Sequence, residues 1–213
     1  MSEVIILYDG YSKMTKKLEM SANCTCTLII GTHNIIVDTM TAWDSDLILN
    51  GLQKYNLTPD DINYVISTHG HSDHIGNNNL FLKAKHIVGF SISFKDKYYI
   101  HPFDKGKLNT LLHNIFMDHY RPAGSCNCTL LQAPMNSISQ MTMILGDLFE
   151  RFEDIENPSI WKEAGSEDPV QQTKNRNKIA SIADWLVPGH GPKFELDNYL
   201  RDLLNMQEYE LLF

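Results

Sequence analysis

Nowhere does this chain stay apolar for the ~20 residues that a membrane-spanning helix needs. Its start, Met1-Ser2-Glu3-Val4-Ile5-Ile6-Leu7-Tyr8, offers only a short apolar run after an acidic residue, which is no secretory signal. A protein free of the membrane and cytosolic is therefore expected, with the nucleus also open to a chain of this size. Positive charge is scarce as well: 18 Lys and Arg stand against 26 Asp and Glu, a formal net charge of −8. Such a surface does not attract phosphate backbones by itself. That argues against broad nucleic-acid binding, but not against a local basic groove beside bound metal ions. Cysteine is sparse, with four residues in two Cys-x-Cys pairs, Cys24/Cys26 and Cys126/Cys128. Each pair would face one side of a strand. Structural zinc sites use wider spacing, so buried thiols in a reducing compartment are the preferred reading. Repeats, low-complexity runs and linker-like segments are missing. With 213 residues, 43% of them hydrophobic and 21% charged, the chain is sized for one domain, residues 1–213, with a substantial core.

What is abundant is histidine in one place. Residues 68–76 read Thr-His-Gly-His-Ser-Asp-His-Ile-Gly. His69, His71, Asp73 and His74 offer imidazoles and a carboxylate, the donors that a borderline cation such as zinc accepts. On a helix, His69 and His71 would diverge by about 200°. In a loop after a strand, all of them can converge. Tyr64-Val65-Ile66-Ser67 supplies the strand, and Gly76-Asn77 permits the turn into a helix. Packing gives no reason for so many metal-binding side chains among glycine and serine spacers.

Strands are expected at 4–8, 25–30, 34–38, 63–67, 85–89, 141–146 and 185–187, and helices at 44–55, 76–81, 168–181 and 195–205. Pro59 followed by Asp60 and Asp61 marks a short helical connection into a strand. The acidic stretch 150–168 reads as a long loop or loose helix. Strands first, then mixed strands and helices, imply a layered α/β architecture. His33 falls in a hairpin turn, His86 starts a strand, and His101 sits on a surface loop near a cleft rim.

The His-x-His-x-Asp-His pattern resembles the signature of the metallo-β-lactamase superfamily of hydrolases. Further wording agrees in order. Ile35-Ile36-Val37-Asp38-Thr39 looks like the family's first motif, Met143-Ile144-Leu145-Gly146-Asp147 its fourth, and Val187-Pro188-Gly189-His190-Gly191-Pro192 its fifth. The resemblance spans roughly residues 4–205 and implies a four-layer αββα sandwich holding two divalent metal ions at its edge. Zinc is expected, with iron or manganese fitting the same mixed donors. By resemblance, His69 and His71 with a third histidine hold one ion, and Asp73, His74 and His190 hold the other. Asp147 bridges them, and Asp38 orders the ligand loop from behind. Asp73 doubles as the catalytic group that orients a metal-bound hydroxide and moves its proton.

One motif departs from the family. Its Pro-Gly-His-Thr-like turn, which carries the third histidine, has no counterpart between residues 90 and 140. His119 is the candidate in its place, with His113 weaker, and 107–140 lacks the alternating strand expected before Asp147. Within the superfamily the wording is similar to glyoxalase II-like hydrolases and to an endoribonuclease of histone pre-mRNA 3′ ends. RNA phosphodiester cleavage is therefore the leading expectation. The alternative is a thioesterase of glyoxalase II type or another hydrolase of small anionic esters. Residues 194–213, with Arg201 as their one basic residue, argue mildly against it. A third reading is an impaired pseudoenzyme or binding protein. A homodimer is implied by the resemblance alone.

Overall fold

The computed structural model describes residues 3–89, 91–99, 131–134, 141–166 and 168–210. A seven-stranded sheet runs in the order β1 (Glu3–Tyr8), β4 (Cys26–Ile30), β5 (Ile35–Val37), β6 (Tyr64–Ser67), β7 (Lys85–Val88), β8 (Ser91–Phe94) and β9 (Lys97–Tyr99). A four-stranded sheet follows the order β10 (Leu131–Pro134), β11 (Met141–Ile144), β12 (Trp185–Val187) and β13 (Phe194–Glu195). The hairpin of β2 (Tyr11–Lys16) and β3 (Glu19–Asn23) stands apart from both. The helices are α1 (Ser45–Gln53), α2 (Ser72–Ile75), α3 (Glu153–Glu156), α4 (Ser159–Glu163), α5 (Pro169–Ala180) and α6 (Asn198–Tyr209).

Alternation along the strands sorts the side chains into layers. Ile5, Leu28, Ile36 and Val65 face one way and pack with Ile48 and Leu52 of α1. Their neighbours Ile29, Ile35, Val37, Tyr64 and Ile66 face the other way and meet Ile144 and Val187 of the second sheet. On those same second-sheet strands, Met143 and Leu186 turn outward to Ile179 of α5 and to Leu200 and Leu204 of α6. Three apolar layers thus separate helix, sheet, sheet and helix, the αββα sandwich. Each fully buried aliphatic side chain contributes about 1.5–3 kcal/mol to this packing.

The strands expected from sequence are present. The β2–β3 hairpin was not foreseen, because its alternation of polar and apolar residues is weak. Strand β10 pairs antiparallel with β11 inside the stretch read as lacking a strand. The helix expected at 76–81 is instead α2 at 72–75 followed by a short 3₁₀ turn at Asn78–Leu80. Asn77 explains the break, since its amide donates to the carbonyls of Thr39 (2.7 Å) and Thr41 (2.6 Å) instead of continuing the helix. The last helix starts three residues later than expected, at Asn198, where the Asp197 side chain accepts from Leu200 N–H at 2.9 Å. The acidic stretch read as a long loop or loose helix holds two short helices, α3 and α4, which bury Asp154 and Trp161.

Two parallel strand pairs position the site. β5 runs parallel to β6 in the first sheet, and β11 runs parallel to β12 in the second. The segments after these four strands carry Asp38, residues 68–74, Asp147 and His190.

Candidate metal centre

On the first-sheet side, the ligand loop hangs from Asp38. This buried residue sits at φ 56°, a left-handed conformation that aspartate tolerates better than most residues. Its N–H donates to the Ile66 carbonyl at 2.8 Å. Its carboxylate then accepts from Thr68 N–H (2.8 Å), from the Thr68 hydroxyl (2.9 Å) and from His74 Nδ1 (2.8 Å). The last bond fixes the His74 tautomer with the proton on Nδ1 and turns Nε2 inward. The loop enters α2 with His71 at the helix start, which throws Asp73 and His74 onto its first turn.

On the second-sheet side, each residue is set by its surroundings. Gly146 adopts φ +51°, and a Cβ there would fall 2.5 Å from Thr68 Oγ1, so only glycine lets the two loops approach. A Cβ on Gly189 would collide with Asp147 Oδ1 itself. The segment after Asp147 is gripped from behind by a fully buried ion pair, Arg176 of α5 with Asp154 of α3. Arg176 also donates to the Leu148 carbonyl at 2.9 Å, while Asp154 accepts from Glu150 N–H at 2.6 Å. The guanidinium lies on the Phe149 ring, 4.1 Å from its centroid, and near Trp161 at 5.2 Å. This segment then pairs with the histidine turn: Gly189 N–H donates to Phe149 O (2.9 Å) and His190 N–H to Glu150 O (2.8 Å). His190 Nδ1 donates to the Asn23 carbonyl at 3.0 Å, so its Nε2 also faces inward.

The two sides meet at Asp147. Its Oδ2 lies 3.1 Å from His69 Nε2 and 3.7 Å from His71 Nδ1. Its Oδ1 lies 3.3 Å from both His74 Nε2 and His190 Nε2. Yet His69 Nε2, His74 Nε2 and Asp147 Oδ1 are buried without the alignment a hydrogen bond requires. Buried unpartnered polar atoms are destabilising by about 1–3 kcal/mol each. Here they converge on shared space that cations would fill. Two groups of donor atoms result, His69 with His71 and Asp147, and Asp73 with His74 and His190, each within 4.8 Å of one another. Mixed imidazole and carboxylate donors in this density fit divalent transition ions.

The charges agree. Burial alone would raise the Asp147 carboxyl, but His74 and the imidazoles of His190, His69 and His71 hold it well below the usual carboxylate range. Burial alone would lower His190, but Asp147 and Glu150 pull it up to about 9. Burial also works against His74, and Asp38 and Asp147 lift it well above its ordinary value. Asp147 thus stays ionised at the point where the four imidazoles meet.

Of the positions singled out from sequence, Asp38, His69, His71, Asp73, His74, Asp147 and His190 are brought together. His119, His113, His101, Cys126 and Cys128 lie outside the described residues. Cys24 and Cys26 are free and buried, as expected of structural thiols. His86 is structural, with Nε2 3.0 Å from the Phe81 carbonyl. Sequence reasoning missed Asn23, Arg176, Asp154 and Glu150.

The family described as the metallo-β-lactamase superfamily matches residues 22–138. This chain belongs to the metallo-β-lactamase superfamily. It is 36% identical over 194 residues to metallo-β-lactamase domain-containing protein 1 of Xenopus laevis, covering 91% of this chain and 81% of that protein. Among solved structures, a metallo-β-lactamase of Pseudomonas aeruginosa in its mono-zinc form shares the fold at TM-score 0.61 and 15% identity, over 95% of this chain and 90% of that one. An N-acyl homoserine lactone hydrolase, with product bound at its catalytic metal centre, does so at TM-score 0.54 and 18% identity, over 89% and 92%. A metallo-β-lactamase domain with these ligand groups is a metal-dependent hydrolase. No helix among the described residues is long and apolar enough to cross a membrane.

Proposed function

We propose that this hydrolase cleaves RNA phosphodiesters, with the two facing ligand groups as its reaction centre and zinc as its ion. The observation that carries the substrate reading is the β2–β3 hairpin. Its base is tied to the centre, because Arg151 donates to the Ser12 carbonyl and Asn23 accepts from His190. On a chain of net charge −8, this hairpin exposes Lys13 with its Nζ 6.0 Å from the Tyr11 ring centroid, and at its tip Lys17 and Lys16, the latter paired with Glu19 at 3.2 Å. Exposed cations with an aromatic ring beside one of them suit a single-stranded phosphate backbone and its bases. The histone pre-mRNA type of 3′-end cleavage is the specific form that the motif wording favours.

Divalent ions held by these residues would supply a water acidic enough to ionise near neutrality and would polarise the bond under attack. The chain's own residues do the rest. Asp73 keeps solvent contact, its side chain 17% exposed, which supports a role in taking the proton of the attacking water and passing it outward. Asp38, held by Thr68 and His74, keeps the loop from relaxing when charge develops. The hairpin lysines orient the backbone of the substrate.

A second reading rests on the same hairpin. Met14, Leu18 and Met20 are 65%, 93% and 54% exposed, a surface suited to the apolar part of a small ester or thioester. The test is a direct comparison of a labelled single-stranded RNA with a glutathione thioester, using wild type and the triple variant Lys13→Glu, Lys16→Glu, Lys17→Glu. RNA cleavage that chelator abolishes and the triple variant weakens about 10-fold or more, from lost phosphate contacts, is expected. Thioester turnover without RNA cleavage would replace this reading with the second. Neither activity in a metal-loaded chain would make it a binding protein.

A further inference from the structure

Glu150 is a buried carboxylate that neither ligand group includes. Its backbone is fixed from both sides, since its N–H donates to Asp154 at 2.6 Å and its carbonyl accepts from His190 N–H at 2.8 Å. The side chain is thereby set beside the histidine turn. Its Oε2 lies 3.8 Å from His190 Nε2, the nitrogen that faces Asp147 Oδ1 at 3.3 Å. Two donors of one ion, each about 2.0–2.2 Å from it, stand roughly 3–4 Å apart. Glu150 therefore sits at ligand spacing from a residue of the Asp73, His74 and His190 group.

Charge balance points the same way. Two divalent ions would bring four positive charges into a centre whose described carboxylates are otherwise Asp38, Asp73 and Asp147, while His69, His74 and Asp147 hold buried atoms without a hydrogen-bond partner there. Uncompensated charge in a buried site is strongly disfavoured. Glu150 supplies the fourth negative charge. We propose that Glu150 is a further carboxylate of the metal centre, acting on the ion held by Asp73, His74 and His190. The proposal rests on the metal-centre reading above. It makes that half of the centre richer in oxygen than its histidines alone suggest, which favours higher coordination and oxygen-preferring ions.

The experiment titrates zinc and manganese into chelator-stripped full-length protein against a chromogenic competitor, for wild type, Glu150→Gln and Glu150→Asp. Wild type is expected to take up two ions per chain. Glu150→Gln keeps the side-chain shape and is expected to weaken one of the two about 10–100-fold, with Glu150→Asp between them. The loss is expected to be larger for manganese than for zinc. Cobalt-loaded protein gives a second readout, because its visible absorption reports coordination number and should change in Glu150→Gln. Two ions bound by Glu150→Gln as tightly as by wild type, with an unchanged cobalt spectrum, would overturn the role of Glu150 while leaving the metal centre intact. A wild type that binds fewer than two ions would overturn the metal-centre reading and this one with it.

Discussion

The first sheet delivers His69, His71, Asp73 and His74 from one loop, while the second delivers Asp147 and His190 singly, from the ends of two strands far apart in the chain. The loop carries its own reference point, with Asp38 fastening Thr68 and His74 from the neighbouring parallel strand. Asp147 and His190 have no such local frame. Their positions depend on close glycine contacts, on main-chain pairing between 149–150 and 189–190, and on the Arg176–Asp154 pair behind them. Half of the centre is thus specified by a motif and half by tertiary packing. The two halves should fail differently when altered.

The most damaging change should be Asp147→Ala, because Asp147 turns one carboxylate oxygen to His69 and the other to His74 and His190. Metal content, read by elemental mass spectrometry, is expected to fall for both ions, and hydrolysis by more than the 10–100-fold typical of an outer partner. Loss of one ion only would show that the halves are independent.

Arg176→Met should come next, and it should act through folding. Removing one member of a buried pair leaves an uncompensated charge, destabilising by about 3–5 kcal/mol. Urea unfolding should show this loss, and a companion Asp154→Leu should recover much of it. An Arg176→Met variant as stable as wild type would contradict the tertiary account of the second half.

Asp38→Asn should be gentler on the fold and sharper on the metal. It keeps the shape but weakens the acceptor that orients His74, so metal affinity is expected to drop about 10–100-fold with little change in unfolding midpoint. A purely structural Asp38 would show the reverse pattern.

The smallest effect should come from Asp197→Ala, which removes the N-cap of α6, a residue in neither ligand group. About 1 kcal/mol of stability is expected to go, with metal content unchanged. A change in metal content there would mean that the packing behind the second half reaches further than the Arg176–Asp154 pair.

The same division explains what could be read from the sequence. His69, His71, Asp73 and His74 announce themselves because four metal-binding side chains in six positions have no packing explanation. Asp147 and His190 were readable only through their turns and by resemblance, since an isolated aspartate or histidine carries little information. Asp154 and Arg176 were invisible. They lie in segments that read as a long loop or loose helix and as a helix, and their roles exist only once α3 and α5 pack together. Asn77 misled the helix assignment because its amide reaches back to Thr39 and Thr41, a contact no local pattern encodes. Strands such as Ile35–Val37 and Tyr64–Ser67 were readable as short apolar runs because both of their faces are buried.

The account stands or falls on whether both halves hold metal in the same chain. Elemental mass spectrometry on protein purified without chelator measures that directly. About two divalent ions per chain, dropping together in Asp147→Ala, is the result expected of a two-metal centre. A chain that carries no more than one ion under saturating zinc or manganese would contradict it.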